Sequence, residues 1–286
     1  MIKLLITDLD DTLYSWIDFF VPAFYEMLEE LSLILHKPKQ VLIQEYKKIH
    51  QEKGSVEYPY ATLLLPSVKS AYPSATKEEL IATLNPAFHK FNSYRKHHLK
   101  LYPRVEETLK EITSRNVKVV GYTDSAEENG FYRLKVLKIA DYFQTVYVSD
   151  SQFDRPRNLP TSKKTVIVHG KKPNPDLIRE ICRRENVSTH ETIYLGDSLT
   201  KDIYMAKSAD VTAVLFQYPC DTKHRKELYS KLVAISSWTD VDFENDLQIR
   251  QICQSQKILP DYAIDSFDKV FSIIQEINTD KETYSL

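Results

Sequence analysis

The sequence predicts an α/β protein, a doubly wound parallel sheet with a block of helices inserted near its amino-terminal end. Three observations carry that expectation. Short, almost wholly apolar runs end in small polar or acidic residues, as strands buried on both faces do. From Tyr102-Pro103 onward such runs alternate with helical patterns, the mark of strand–helix–strand units. Between the first run and that alternation, residues 14–101 show helical periodicity alone.

Leu4-Leu5-Ile6 is the first strand, and it ends in Thr7-Asp8-Leu9-Asp10-Asp11-Thr12. Ile17, Phe20, Phe24, Leu28 and Leu31 then recur at spacings of three and four, which predicts a first helix. Val41, Tyr46 and Ile49 fit a second, started by Pro38, and Tyr60 to Tyr72 is an apolar stretch crossed by Pro66. A fourth helix starts after Ser74-Ala75-Thr76, with Glu79 at the capping-box position, and runs through Leu80, Leu84, Phe88 and Phe91. Pro86 should kink or split it. Strands are then expected at 117–122, 145–148, 192–195, 211–216 and 262–264. An amphipathic helix carries Leu177, Ile178, Ile181 and Cys182. Residues 151–165 read as a polar loop. Residues 219–260 read as an insertion in which Trp238-Thr239-Asp240 precedes a polar helix, and no role follows for it from the sequence.

At 286 residues the chain can carry more than one domain. Its net charge of −2 argues against nucleic acid or an anionic membrane as a bulk partner. The apolar stretches fall short of a membrane span. The amino terminus passes directly into the first strand, so no signal peptide is expected and the cytoplasm is the expected location. Cys182, Cys220 and Cys253 are odd in number and widely spaced, as in a reduced protein without a disulfide framework or zinc site. They read as core or surface residues.

Four strand ends hold the candidate chemistry, and ligands of open α/β sheets gather at such ends. Asp8 and Asp10 lie two apart, so in extended chain they face one side and Asp11 the other. Two carboxylates aimed at one point repel unless a cation or proton lies between them, which suits a divalent metal. A solvated turn explains Asp-Asp-Thr equally well. Thr123 closes the strand 117–122; its hydroxyl and the following amides, beginning at Asp124, can meet an anion, although Thr-Asp-Ser is also an ordinary helix cap. Lys172 precedes Pro173 and the helix of residues 175 onward, where a solvated lysine is the common case. Gly196-Asp197 ends the strand at 192–195, with Gly196 allowing a tight turn and Asp202 falling five residues beyond Asp197. Taken one by one these are weak or moderate signals. Their joint occurrence, in this order and each at a strand end, is a strong one.

The four segments resemble the motifs of the haloacid dehalogenase superfamily, beginning with Asp-x-Asp-x-Thr at residues 8–12. The resemblance covers residues 1–13 and 102–218 well and the helical block by position and helicity. It implies a Rossmann-like core of residues 1–13 and 102–286 and a mobile cap of residues 14–101. It further implies that Asp8 is a nucleophile forming an aspartyl-phosphate, that Asp10 is the acid/base, and that Thr123, Asp124 and Lys172 bind phosphate. The expected metal is Mg²⁺, with Asp8, Asp10 (through its carbonyl), Asp197 and Asp202 as ligand candidates. An acid at position 10 argues against the dehalogenase branch, because a halide leaving group needs no proton.

The implied activity is that of a magnesium-dependent phosphatase acting on a small phosphorylated metabolite, with nucleotides and sugar phosphates as candidates. A phosphotransferase or phosphomutase on the same site, or a weakly active regulatory protein of this fold, remain alternatives. Tyr14, Trp16 and Glu57-Tyr58-Pro59-Tyr60 are the candidate substrate contacts of the cap, and aromatic packing among cap helices explains each of them as well. Nothing in the sequence states an oligomeric state.

Overall fold

The structure, a computed structural model, describes residues 1–58, 60–150 and 162–283. Pro59 and most of the 151–165 loop therefore lie outside the described residues. Packing divides the chain into two compact units. One comprises Met1–Ser15, Leu101–Pro219 and the chain from Asn245; the other comprises Trp16–Lys100 and Cys220–Glu244.

In the first unit, β1 (Leu4–Thr7) is buried along its whole length, as a run with no polar side chain before Thr7 requires. The helical unit opens with α1 (Trp16–Leu35), whose buried positions include all five residues that set the predicted spacing. It continues through α2 (Lys39–Lys53), α3 (Ala61–Leu64), α4 (Pro66–Ala71), α5 (Lys77–Thr83) and α6 (Asn85–His98). The breaks fall where local chemistry puts them. Pro66 and Pro86 each start a new helix, and Thr76 with Glu79 forms the expected capping box ahead of α5.

The chain returns to the first unit at Leu101, which bridges Tyr14 in antiparallel fashion. Tyr102 N also donates to Leu13 O at 2.9 Å. There follow α7 (Val105–Ser114), β2 (Lys118–Ala126), α8 (Gly130–Val136), β3 (Thr145–Ser149), β4 (Thr165–Val168) and α9 (Pro175–Arg184). Next come β5 (Thr192–Gly196), α10 (Tyr204–Ser208), β6 (Thr212–Phe216), α11 (Thr222–Ile235), α12 (Asp240–Ser255), β7 (Tyr262–Ile264) and α13 (Lys269–Thr283).

The strands form one parallel sheet in the order β4-β3-β2-β1-β5-β6-β7. Connections run one way from β1 through β2 and the other way from β5. The crevice at the carboxyl ends of β1 and β5 is therefore a topological switch point. Leu4, Ile6, Val120 and Tyr194 of the central strands are fully buried in a core that α9 and α10 cover with Ile178, Ile181, Met205 and Ala206. Among the described residues no helix is long and apolar enough to cross a membrane.

Three features depart from the sequence reading. β2 runs to Ala126, past the expected end at 122, and its pairing with β3 shifts register between Thr123 and Ala126. β4 begins at Thr165, inside the stretch read as loop. It is a four-residue edge strand with only Val168 buried, too short and too exposed to stand out as an apolar run. α11 also escapes the periodicity, because it buries only Leu228 and Ile235. The polar helix after Trp238 is present as α12, and Thr239 and Asp242 cap it reciprocally: Asp242 Oδ2 accepts from Thr239 N at 2.7 Å.

Residues 220–244 join the helical unit through specific bonds. His50 donates from Nδ1 to Ile235 O at 2.7 Å, Tyr25 OH donates to Lys231 O at 3.0 Å, and Gln51 donates to Trp238 O at 3.0 Å. Burial lowers His50 to about 4, and its carbonyl partner opposes that shift only in part. Because the folded value lies below the unfolded one, the unfolded chain takes up the proton first as pH falls. Stability of the helical unit should therefore drop by roughly 2–3 kcal/mol between pH 6.5 and pH 4.5. His50→Asn keeps a donor for Ile235 and should flatten that dependence in urea titrations at the two pH values.

Candidate active site

Asp8 follows β1 directly, and its backbone N donates to Leu195 O at 2.8 Å, so the end of β1 is pinned to β5. Its carboxylate is nearly buried and has two separate partners. Lys172 Nζ bonds Oδ1, and Thr12 Oγ1 donates to Oδ2 at 3.2 Å. The same Lys172 Nζ reaches Asp202 Oδ1 at 2.9 Å. The rings of Tyr122 and Tyr194 lie 4.9 and 5.6 Å from that ammonium, within cation–π range.

Asp202 is fully engaged. Tyr194 OH donates to its Oδ1 at 2.9 Å and Ser198 N to its Oδ2 at 3.1 Å. It sits in a π-helical turn, Leu199–Ile203, packed directly on Gly196. Gly196 has no left-handed backbone, so the turn is not what demands a glycine. A β-carbon there would overlap the carboxylate of Asp202, and glycine is needed for that close approach. Thr200 of the same turn donates to Asp246 Oδ1 of α12 at 2.6 Å. The Lys172 loop is tied down by Asp124, whose Oδ1 accepts from Lys172 N at 2.9 Å and whose Oδ2 lies 3.5 Å from Lys201 Nζ. The Asp124 side chain thus anchors that loop, and only its backbone is left for the anion nest.

Carboxylate oxygens of Asp8, Asp197 and Asp202 come within 4.8 Å of one another. One buried ammonium faces these three groups, so the charge does not balance. Burial pushes Asp8 up to about 7, with Asp202 and Asp10 adding to the shift and Lys172 opposing it. Asp197 is raised well above the carboxylate range by burial and then by Asp11, Asp202 and Asp8. Lys172 moves the other way. Burial alone would lower it, but Asp202 and Asp8 outweigh that and keep it charged. An excess of hard oxygen donors around a point of negative charge fits a hard divalent cation such as Mg²⁺.

Asp10 does not join this cluster. Its Oδ2 accepts from Ser125 Oγ at 2.8 Å and from Arg133 NH2 at 3.1 Å, with Thr123 Oγ1 at 3.4 Å, and the same guanidinium lies 3.0 Å from Oδ1 as an ion pair. The extended chain assumed for the sequence reading ends at Thr7. Asp10 bridges Tyr14, and Asp11 turns into the left-handed region at φ 58°. The expected two-residue alternation therefore fails, and Asp11 becomes the strongest charge acting on Asp197. Thr123 is buried at its predicted strand end, where its hydroxyl accepts from Ser125 N at 3.0 Å.

The sequence reading missed Arg133, Ser125, Tyr194 and Lys201. Arg133 lies in α8 among Arg and Lys residues that periodicity cannot rank, and Tyr194 reads as one more core aromatic. Tyr14, expected to face substrate, is buried and accepts from Arg133 Nε at 3.1 Å. Trp16 stacks on Phe20 within the helical unit at 4.5 Å, whereas Tyr60 is half exposed beside Phe88 and Lys77.

A haloacid dehalogenase-like hydrolase family model matches residues 5–216. The sequence is 28% identical over 219 residues to a glyceraldehyde 3-phosphate phosphatase of Methanopyrus kandleri, a match covering 75% of this chain and 83% of that one. It is 23% identical over 290 aligned positions to a protein of the same name from Pyrococcus furiosus, covering 99% and 98%. The fold is similar to that of a 2-haloacid dehalogenase from Pseudomonas syringae pv. Tomato DC3000, with a TM-score of 0.57 at 19% identity and coverage of 96% and 99%.

Gly196→Ala should displace Asp202, lowering stability by about 1–3 kcal/mol, as overpacking does, and reducing turnover with it. Urea unfolding read beside steady-state rates checks both effects. The crowded carboxylates also set a pH dependence. With Asp8 and Asp197 raised in the folded state, the metal-free fold holds more protons than the unfolded chain. Its stability should fall as pH rises from about 4 through about 7. Asp197→Asn should therefore raise the metal-free melting temperature at pH 8 by roughly 2–4 °C for each kcal/mol relieved. Mg²⁺ should stabilise the wild type more at pH 8 than at pH 5, and the variant less, in thermal melts.

Proposed function

Because the chain belongs to the haloacid dehalogenase-like hydrolase family, we propose that it is a magnesium-dependent phosphatase of small phosphomonoesters working through an aspartyl-phosphate. The observation that carries this reading is the convergence of Asp8, Asp197 and Asp202 around one buried lysine at the switch point of the sheet. That arrangement offers an anionic nucleophile, a fixed cation for a phosphoryl group and an excess of carboxylate oxygens that could hold a metal.

In this mechanism a carboxylate oxygen of Asp8 attacks phosphorus, the phosphorus–oxygen bond to the leaving group breaks, and the leaving oxygen takes a proton from Asp10. Asp10 then accepts a proton from the water that attacks the aspartyl-phosphate, releasing phosphate and restoring Asp8. Thr12 orients Asp8, while Lys172 and the Thr123 hydroxyl meet the phosphoryl oxygens, since positioning and electrostatics supply most of such catalysis. Asp8, the carbonyl of Asp10 and Asp197 would hold Mg²⁺, with Asp202 behind them because its oxygens already serve Lys172, Tyr194 and Ser198. When bound, the ion neutralises charge on the transferring group.

The helical unit is the proposed cap, with residues 14–101 joined by Cys220–Glu244. Half-exposed Tyr60 is its first candidate for a leaving-group contact. For the substrate, the shared name of the two relatives favours a three-carbon phosphate such as glyceraldehyde 3-phosphate.

A panel of glyceraldehyde 3-phosphate, a hexose phosphate, a nucleoside monophosphate and 4-nitrophenyl phosphate, assayed with Mg²⁺ and with excess chelator, tests the reading. Turnover should require Mg²⁺ and favour the triose phosphate. Asp8→Asn should fold normally and lose on the order of 10³-fold or more in kcat, because an amide cannot attack phosphorus. Wild-type rates in that variant, or undiminished rates in chelator, would sink the assignment.

A further inference from the structure

Arg133 projects from α8, is 2% exposed, and spends its guanidinium on the Asp10 side of the site. Its NH2 lies 3.0 Å from Asp10 Oδ1, 3.1 Å from Asp10 Oδ2 and 2.8 Å from Ser125 Oγ, while Nε donates to Tyr14 OH at 3.1 Å. Ser125 passes the contact on, donating to Asp10 Oδ2 at 2.8 Å. The Asp10 side chain, 23% exposed, is thus held through Oδ2 by Arg133 and Ser125 together, with the guanidinium also paired to Oδ1. Gly130 lets α8 come this close, since a β-carbon there would press on Thr123 and Ser125.

Burying a guanidinium costs several kcal/mol, and a single carboxylate rarely does more than offset that cost. What the arrangement gains is orientation. A guanidinium is planar and always charged, and this one is fixed at two ends, by Tyr14 through Nε and by Ser125 through NH2. Carboxylate rotation at Asp10 would break contacts with Arg133 and Ser125 together. Asp8 is held by an entirely separate cation, so the two carboxylates are oriented independently.

We infer that Arg133, with Ser125, is a positioning residue that aims the Asp10 carboxyl at the leaving-group oxygen. This rests on the phosphatase reading above and deepens it. It follows that the value of Arg133 scales with how much the leaving group needs a proton. An alkoxide leaves poorly without one, whereas 4-nitrophenolate leaves readily.

The test compares kcat/KM for glycerol 3-phosphate and for 4-nitrophenyl phosphate in Mg²⁺-loaded wild type, Arg133→Met, Arg133→Lys and Ser125→Ala. This constant reports the steps through leaving-group departure, so later hydrolysis does not blur it. Arg133→Met should lose about 100-fold on the alkyl ester, the scale of a misplaced general acid, and a tenth of that or less on the aryl ester. Arg133→Lys and Ser125→Ala should show the same selectivity with smaller losses, and they carry the comparison if Arg133→Met does not fold. Equal losses on both esters would make Arg133 a fold-stabilising pair and overturn the inference, as would unchanged rates on both. A wild type that hydrolyses neither ester overturns the phosphatase reading itself.

Discussion

Lys172 reaches Asp8 and Asp202 from a loop that belongs to neither of their strands, and burying its ammonium between them constrains the surroundings. A buried cation is tolerable only with close, well-aligned carboxylates, so both must be delivered accurately. Asp8 is delivered by the end of β1, pinned to Leu195. Asp202 is delivered by the turn after β5, which fits because residue 196 has no side chain. Asp124 then fixes the backbone of Lys172 from the third strand end. Residues at or just past the ends of three strands are thus registered against one lysine, two on its ammonium and one on its backbone nitrogen. The negative charge left over, concentrated near Asp197, is what a divalent ion would neutralise.

The second constraint is separation. Asp8 and Asp10 stand two residues apart, yet they answer to different cations, Lys172 for one and Arg133 for the other. Acid–base chemistry on one fold works by giving neighbouring carboxyl groups distinct surroundings. Here the division follows from backbone geometry. The chain leaves extended conformation after Thr7, which turns Asp10 toward β2 and α8 and brings Asp11 to bear on Asp197.

Residues 219–260, which had no role in the sequence reading, serve both units. Their first part closes on the helical unit through carbonyl groups that accept from His50, Tyr25 and Gln51. Further on, Asp246 of α12 accepts from Thr200 and so braces the turn that carries Asp202. An insertion late in the chain thereby supports the turn that carries Asp202 and completes a helical unit that begins near residue 16.

The strands β1, β2, β3, β5, β6 and β7, the Pro66 and Pro86 breaks and the capping box at Thr76 were legible because each is written locally. Apolar period, proline geometry and side-chain-to-backbone bonds act within a few residues. Asp8, Thr123, Lys172, Asp197 and Asp202, the residues proposed for the site, could be singled out because each lies near the end of a strand or in the segment that follows one, and parallel sheets gather those ends. The edge strand β4, the sparsely buried α11, the steric demand at Gly196 and the Arg133–Ser125–Asp10 contact were not. Asp10 and Arg133 stand 123 residues apart in the chain, and no periodicity encodes which buried cation meets which carboxylate. By itself the sequence determined the inner strands, the helical block and a set of candidate polar groups near the strand ends, since these follow from local hydrogen bonding and burial. Only the tertiary structure decided how those groups are paired, because pairing depends on distances that exist once the chain has packed.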